Sequence, residues 1–259
     1  MELTLYYIDA FASELFEGNP AAVCPLETWL PDELMQLIAG ENNLSETAFF
    51  VPMENGFQIR WFTPNSEVDL CGHATLASAF VIFNILDYDQ NIIEFESKSG
   101  LLKVIKDDDN LILNFPAQPP TPCDTPQEII NALNITPVEC LESEDLIAVL
   151  ADESDVQNVE PDFEGLKKLG LRGVIITAQS KKYDFVARCF FPGLGINEDP
   201  VTGSAYTQLA PYWATKLGKD IFNAKQLSAR GGELTCELFD DRVLISGKAV
   251  KYLEGKINV

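Results

Sequence analysis

The feature that most restricts what this chain can fold into is a strand, a turn and a glycine-opened helix that occur twice. The first copy, Arg60–Ala79, reads RWFTPNSEVDLCGHATLASA, and the second, Arg188–Tyr206, reads RCFFPGLGINEDPVTGSAY. Arg60, Phe62 and Pro64 recur as Arg188, Phe190 and Pro192 at one constant offset, about half the chain length. With a small gap, Gly72-His73-Ala74 falls on Gly203-Ser204-Ala205. In each copy an aromatic-rich run predicts a strand and a proline turn breaks it. Beyond the glycine the spacing becomes helical, with Ala74, Ala77, Phe80 and Val81 on one face. Self-similarity at this spacing predicts two similar halves. The first turn of each helix offers free backbone N–H groups and a positive dipole end, and glycine lets an anion come close. If the halves face each other, two helix starts converge on one cleft suited to a small carboxylic acid.

Composition narrows the function classes. Lys+Arg is 18 and Asp+Glu is 40, a net charge of −22. Such a surface repels nucleic acid and anionic membranes, so neither is expected as a partner. It reads as a solubility device or an acidic-proteome trait, and an anionic substrate then needs a locally positive pocket. The N-terminus, MELTLYYIDAF, has no basic run before its apolar residues, so no signal peptide is expected. No apolar run approaches a membrane span. Cys24, Cys71, Cys123, Cys140, Cys189 and Cys236 are scattered without a CxxC, which reads as reduced thiols in a cytoplasmic protein. With one histidine and no clustered thiols, no metal site is expected.

The fold class expected is α+β: two halves, each strand-rich around one long helix of small residues. The expected domains are 1–115, a Pro-rich linker 116–122, and 123–259. Pro31–Ala39 is expected as a helix capped by Gly40. The Ala74–Leu86 and Ser204–Leu217 segments are expected as the two central helices, and Gln226–Ala229, Glu233–Leu238 and Arg242–Gly247 as closing strands.

Three acid–base groups stand out. Glu46 lies at the end of a polar loop just before the apolar run Thr47–Phe50, where partial desolvation would raise its pKa towards proton-shuttling range; a solvated loop glutamate is the plainer alternative. His73, directly after Gly72, is either a proton shuttle or a buried histidine satisfied by the backbone. Asp199 either partners a base or caps the following turn. Cys71 sits at a helix start, where the dipole favours a thiolate, but the second copy has Asp199-Pro200 there and no matching thiol, so packing is the favoured role. No phosphate-cradling glycine loop and no GxSxG nucleophile elbow is present.

Several segments resemble the PhzF-like family, the phenazine-biosynthesis-type isomerases of the diaminopimelate-epimerase fold superfamily. They are Asp9-Ala-Phe with Gly18-Asn-Pro-Ala-Ala-Val23, Asn43-Leu-Ser-Glu-Thr-Ala-Phe49, Arg60-Trp-Phe-Thr-Pro64, Asp69-Leu-Cys-Gly-His-Ala-Thr75 and Glu198-Asp-Pro-Val-Thr-Gly-Ser-Ala205. Weaker matches are Ala229–Leu234 and Asp241–Gly247. The ordered set runs nearly end to end. The resemblance implies a diaminopimelate-epimerase-like fold of two pseudo-symmetric domains, each a β-barrel-like sheet around a central helix, with the active site between them. It implies cofactor-independent isomerisation, with Glu46 as general acid/base and His73 and Asp199 assisting. Substrate polar groups would be held by Ser204 and the backbone of Gly72, His73, Gly203 and Ser204. It also implies a homodimer. Two other readings stay open: a Cys71-dependent epimerase or racemase, and a non-catalytic binding protein on the same scaffold.

Overall fold

In the computed structural model, which describes residues 1–259, the chain forms two units: Met1–Asn114 with Ser246–Val259, and Phe115–Ile245. In the first, β1 (Glu2–Ala10) turns back on β2 (Asn19–Pro25), with Tyr6 opposite Val23. Gly18 makes that return possible. Its φ is +67°, and a Cβ there would lie 2.2 Å from the Ala10 carbonyl oxygen. Helix α1 (Asp32–Asn42) carries the chain across to β3 (Glu46–Pro52), which runs parallel to β2 and sets Glu46 opposite Ala21. Strands β4 (Phe57–Phe62) and β5 (Glu67–Val68) follow antiparallel. Then come α2 (Gly72–Asn84) and the antiparallel run β6 (Ile92–Ser97), β7 (Gly100–Asp107) and β8 (Asn110–Pro116).

Helix α2 packs against β1, β2, β3 and β7. Ala74, Leu76, Ala77, Ala79, Val81 and Ile82 are buried all round it, the pattern of a core helix rather than a surface one. Its buried hydroxyls are absorbed locally: Ser78 donates to the Ala74 carbonyl. The sheet therefore wraps a helix slim enough to be enclosed.

The second unit repeats the plan. After β9 (Thr121–Cys123), α3 (Gln127–Leu133), β10 (Glu139–Glu142) and β11 (Leu146–Val149), two short helices, α4 (Glu153–Asn158) and α5 (Phe163–Lys168), lead to β12 (Val174–Gln179). β12 pairs antiparallel with β13 (Phe185–Phe191), β13 with β14 (Ile196–Asp199), and the buried helix α6 (Gly203–Leu217) follows. β15 (Ile221–Gln226), β16 (Gly232–Phe239) and β17 (Arg242–Gly247) complete it. The succession β3–β4–β5–α2 thus recurs as β12–β13–β14–α6. In both copies the arginine of the repeat grips a glutamate of the next strand with two nitrogens. Arg60 holds Glu67 at 2.7 and 2.9 Å, and Arg188 holds Glu198 at 2.7 and 3.0 Å.

Four local expectations change. α1 runs through Gly40 to Asn42, and Asn43, left-handed at φ 49°, ends it by donating to the Ala39 carbonyl; asparagine tolerates that conformation almost as glycine does. The Pro-rich 116–122 stretch is tied down rather than free. Ala117 N–H donates to Asp241 O, Gln118 N–H to Thr207 O, and β9 pairs with β10. The strand expected at Gln226–Ala229 lies earlier and ends at Gln226. Finally β18 (Ala249–Asn258) pairs antiparallel along all of β1, from Glu2 opposite Asn258 to Ala10 opposite Ala249. The chain end therefore belongs with the first unit, because β1 would otherwise present an open edge on that side.

Candidate active site

In the first unit, β3 and α2 bring three groups into line. Glu46 opens β3 and His73 is the second residue of α2. Their side chains are 12% and 8% exposed, and Glu46 Oε2 lies 3.2 Å from His73 Nε2. Cys71, the residue before the helix, places Sγ 3.5 Å from His73 Nδ1. The helix start is held by Thr75, whose hydroxyl donates to the Cys71 carbonyl at 2.5 Å. Burial pushes the His73 pKa down from its usual value to about 3. The imidazole is therefore neutral at physiological pH.

A stability signature follows. The His73 pKa is depressed by folding, so the unfolded chain binds the proton more readily below about 6.5. Stability is then lost as pH falls from about 6.5 towards 3, by roughly 1.4 kcal/mol per pH unit from this group. Urea melts of wild type and His73→Gln across that window should differ in slope by this amount; parallel slopes would refute it.

In the second unit, Asp199 ends β14 and is 8% exposed. Thr202 donates its hydroxyl to Asp199 Oδ2 at 2.5 Å, and Gln226 Nε2 donates to the Asp199 carbonyl at 2.7 Å. Gln226 Oε1 in turn accepts the Thr202 N–H at 2.9 Å. Gly203 and Ser204 form the first turn of α6. Ser204 Oγ lies 3.5 Å from an Arg172 nitrogen, and that guanidinium is anchored by the buried Asp145, which also accepts from Gln208 Nε2.

The two central helices share an electrostatic peculiarity. Neither α2 nor α6 has a side-chain cap or an acidic residue in its first turn. The other four helices all carry Asp or Glu there: Asp32 and Glu33, Glu128, Glu153 and Asp155, and Glu164. These two helix starts therefore carry no acidic residue of their own in the first turn; the carboxylates near them, Glu46 and Asp199, come from neighbouring strands.

The model of the phenazine biosynthesis-like family (PhzC-PhzF) matches residues 8–255. The chain belongs to this family. An uncharacterized isomerase of Pseudomonas aeruginosa is 51% identical over 100% of both chains. A crystal structure of a PhzF family protein from Enterococcus faecalis superposes with a TM-score of 0.99 at 48% identity, covering 100% of both. A hydroxyproline epimerase from Agrobacterium vitis shares the fold alone, with a TM-score of 0.64 at 10% identity over 99% of this chain and 92% of that one.

Within this PhzF-like frame, the equivalence of the two units is clearer than the sequence made it. The residue before each central helix is Cys71 in one and Thr202 in the other. Val174 faces Phe190 as Thr47 faces Phe62, so Gly173 stands in the place of Glu46. A Cβ at Gly173 would lie 2.3 Å from the Phe191 ring and 2.8 Å from Asp145 Oδ1, which leaves no room for an acid there. Arg172, Asp145, Thr202 and Gln226 escaped the sequence reading; a buried acid paired to an arginine far along the chain leaves no local pattern. Glu46, Cys71 and His73 offer ligand atoms within 4.8 Å of one another.

Proposed function

We propose that the protein is a PhzF-type isomerase that moves a proton on a small carboxylic acid, with Glu46 as the general base and acid. The observation that carries this reading is the Glu46–His73 pair, a largely buried carboxylate 3.2 Å from a neutral imidazole at an uncapped helix start. A desolvated carboxylate is a stronger base than a solvated one, and a neutral imidazole beside it leaves its charge unquenched. Moving a proton between carbons is redox-neutral, so acid–base groups suffice and no coenzyme is invoked. The substrate's polar groups are assigned to the uncapped helix starts, Gly72 in the first unit and Gly203 with Ser204 in the second, where amide N–H groups bind anions. Asp199 is assigned a supporting proton-handling role. Thr202 in the place of Cys71 supports the glutamate-centred reading over a two-thiol epimerase.

The test is deuterium uptake in heavy water. Chiral and unsaturated small carboxylic acids are incubated with the protein and followed by proton NMR. One class is expected to lose its signal at the carbon next to the carboxylate or conjugated with it, with wild type and not with Glu46→Gln. Equal uptake with both proteins overturns the assignment.

A further inference from the structure

We propose that Cys71 is a positioning residue: its thiol donates to Nδ1 of His73 and keeps the ring proton on Nε2, facing Glu46, throughout the proton-transfer cycle. The inference rests on the reading of Glu46 as the base, which must begin ionised. A neutral imidazole has one N–H and one bare nitrogen. An ionised Glu46 can only accept, so the ring nitrogen that faces it, Nε2 at 3.2 Å, is the one assigned the proton, although the two atoms lie outside hydrogen-bond geometry. Nδ1 is then bare, and the group facing it is the Cys71 sulfur at 3.5 Å, within range for an S–H donor. Both partners are buried, Cys71 at 7% and His73 at 6% exposure, so water competes poorly for either nitrogen.

The arrangement matters most after Glu46 has taken the substrate proton. A neutral Glu46 no longer demands Nε2–H. With Nδ1 unoccupied, the ring could become the Nδ1–H tautomer and accept a hydrogen bond from the Glu46 carboxyl, drawing its proton away from the substrate. A thiol donor on Nδ1 blocks that tautomer. The ring could then take the Glu46 proton only by becoming an imidazolium, which its burial opposes. Cys71 thus keeps the proton on Glu46 available for redelivery. This use needs the thiol, not the thiolate, and explains how a cysteine can serve with no second cysteine in the equivalent place.

His73 is the sole histidine, so every imidazole signal in a histidine-labelled sample is its own. Long-range proton–nitrogen correlation spectra at neutral pH assign each nitrogen as protonated or bare. Wild type is expected to show Nε2 protonated and Nδ1 bare. Glu46→Ala removes the other partner and should keep that pattern. The double variant Glu46→Ala with Cys71→Ala should lose it to a tautomer mixture, and Glu46→Ala with Cys71→Ser should restore it, because serine also donates. A protonated Nδ1 in wild type, or a mixture already in Glu46→Ala, overturns the proposal and needs only the wild type and one single variant. These spectra use no substrate, so they succeed or fail apart from the deuterium-uptake test of the catalytic reading.

Discussion

Replacing Glu46 by glutamine is expected to slow proton exchange on the substrate by about 10²–10⁴-fold, the usual range for a positioned general acid–base group. The melting temperature should hardly change. Glutamine keeps the length of the side chain and an oxygen to face Nε2 of His73, but it cannot take a proton at any accessible pH. It also removes a charge that is largely shielded from water, so stability should hold or rise slightly. On the proposed reading the substrate's polar groups are held by the helix starts and not by Glu46, so kcat should fall while KM stays within a few-fold, the signature of an interaction used in the transition state. A kcat within tenfold of wild type, in a variant that melts normally, would remove Glu46 from the mechanism.

Replacing Arg188 by alanine is expected to cost the second unit about 3–5 kcal/mol, the range for breaking a buried ion pair from one side. Arg188 is 9% exposed. It grips Glu198 and also donates to the carbonyls of Val156 and Val159, at 3.1 and 2.7 Å, which close α4. Its loss leaves a carboxylate and two carbonyls in need of partners and removes the guanidinium stacked over Phe190. At this chain length the melting temperature should fall by about 10 °C. Arg60 is the internal control. It makes the same fork to Glu67, whose carboxyl it holds below the usual range. Its outer nitrogen goes to Asp32, a side chain 73% exposed, instead of to buried carbonyls. Arg60→Ala should therefore cost clearly less. Calorimetry that ranked the two the other way would show that the carbonyl contacts contribute little.

The repeat that exposes these arginines was legible because strand, proline turn and glycine leave marks at fixed short spacing. The acids they grip were not. Glu67 follows Arg60 by a tight turn, whereas Glu198 follows Arg188 across an extra 3-10 turn, Pro192–Leu194, so the spacing differs while the geometry is shared. Of the candidate site, the sequence pointed to Glu46 and His73 separately, and the packing of α2 against β3 is what brings residues far apart in the chain to 3.2 Å in space. Cys71 was read as packing because the second copy offers no matching thiol; the imidazole nitrogen 3.5 Å from its sulfur is what the sequence did not show. The ends of elements set by turn chemistry were partly misplaced, as at Gly40 and Asn43, since either residue can stop a helix. The pairing of β18 with β1 left no trace at all. A strand's partner is fixed by tertiary competition for open edges, not by anything written within the strand.

That last pairing bears on how the protein is made. The second unit is one uninterrupted stretch, Phe115–Ile245, while the first waits for Ser246–Val259. During synthesis the inner module is complete before its host, although the host began to emerge earlier. The nascent N-terminal portion, with Glu46 and His73 already translated, must hold β1 without its neighbour β18 for as long as the ribosome takes to finish the insert. A stall or premature stop before residue 249 would release a chain whose inner module has closed and whose acid–base pair rests on an unsealed sheet.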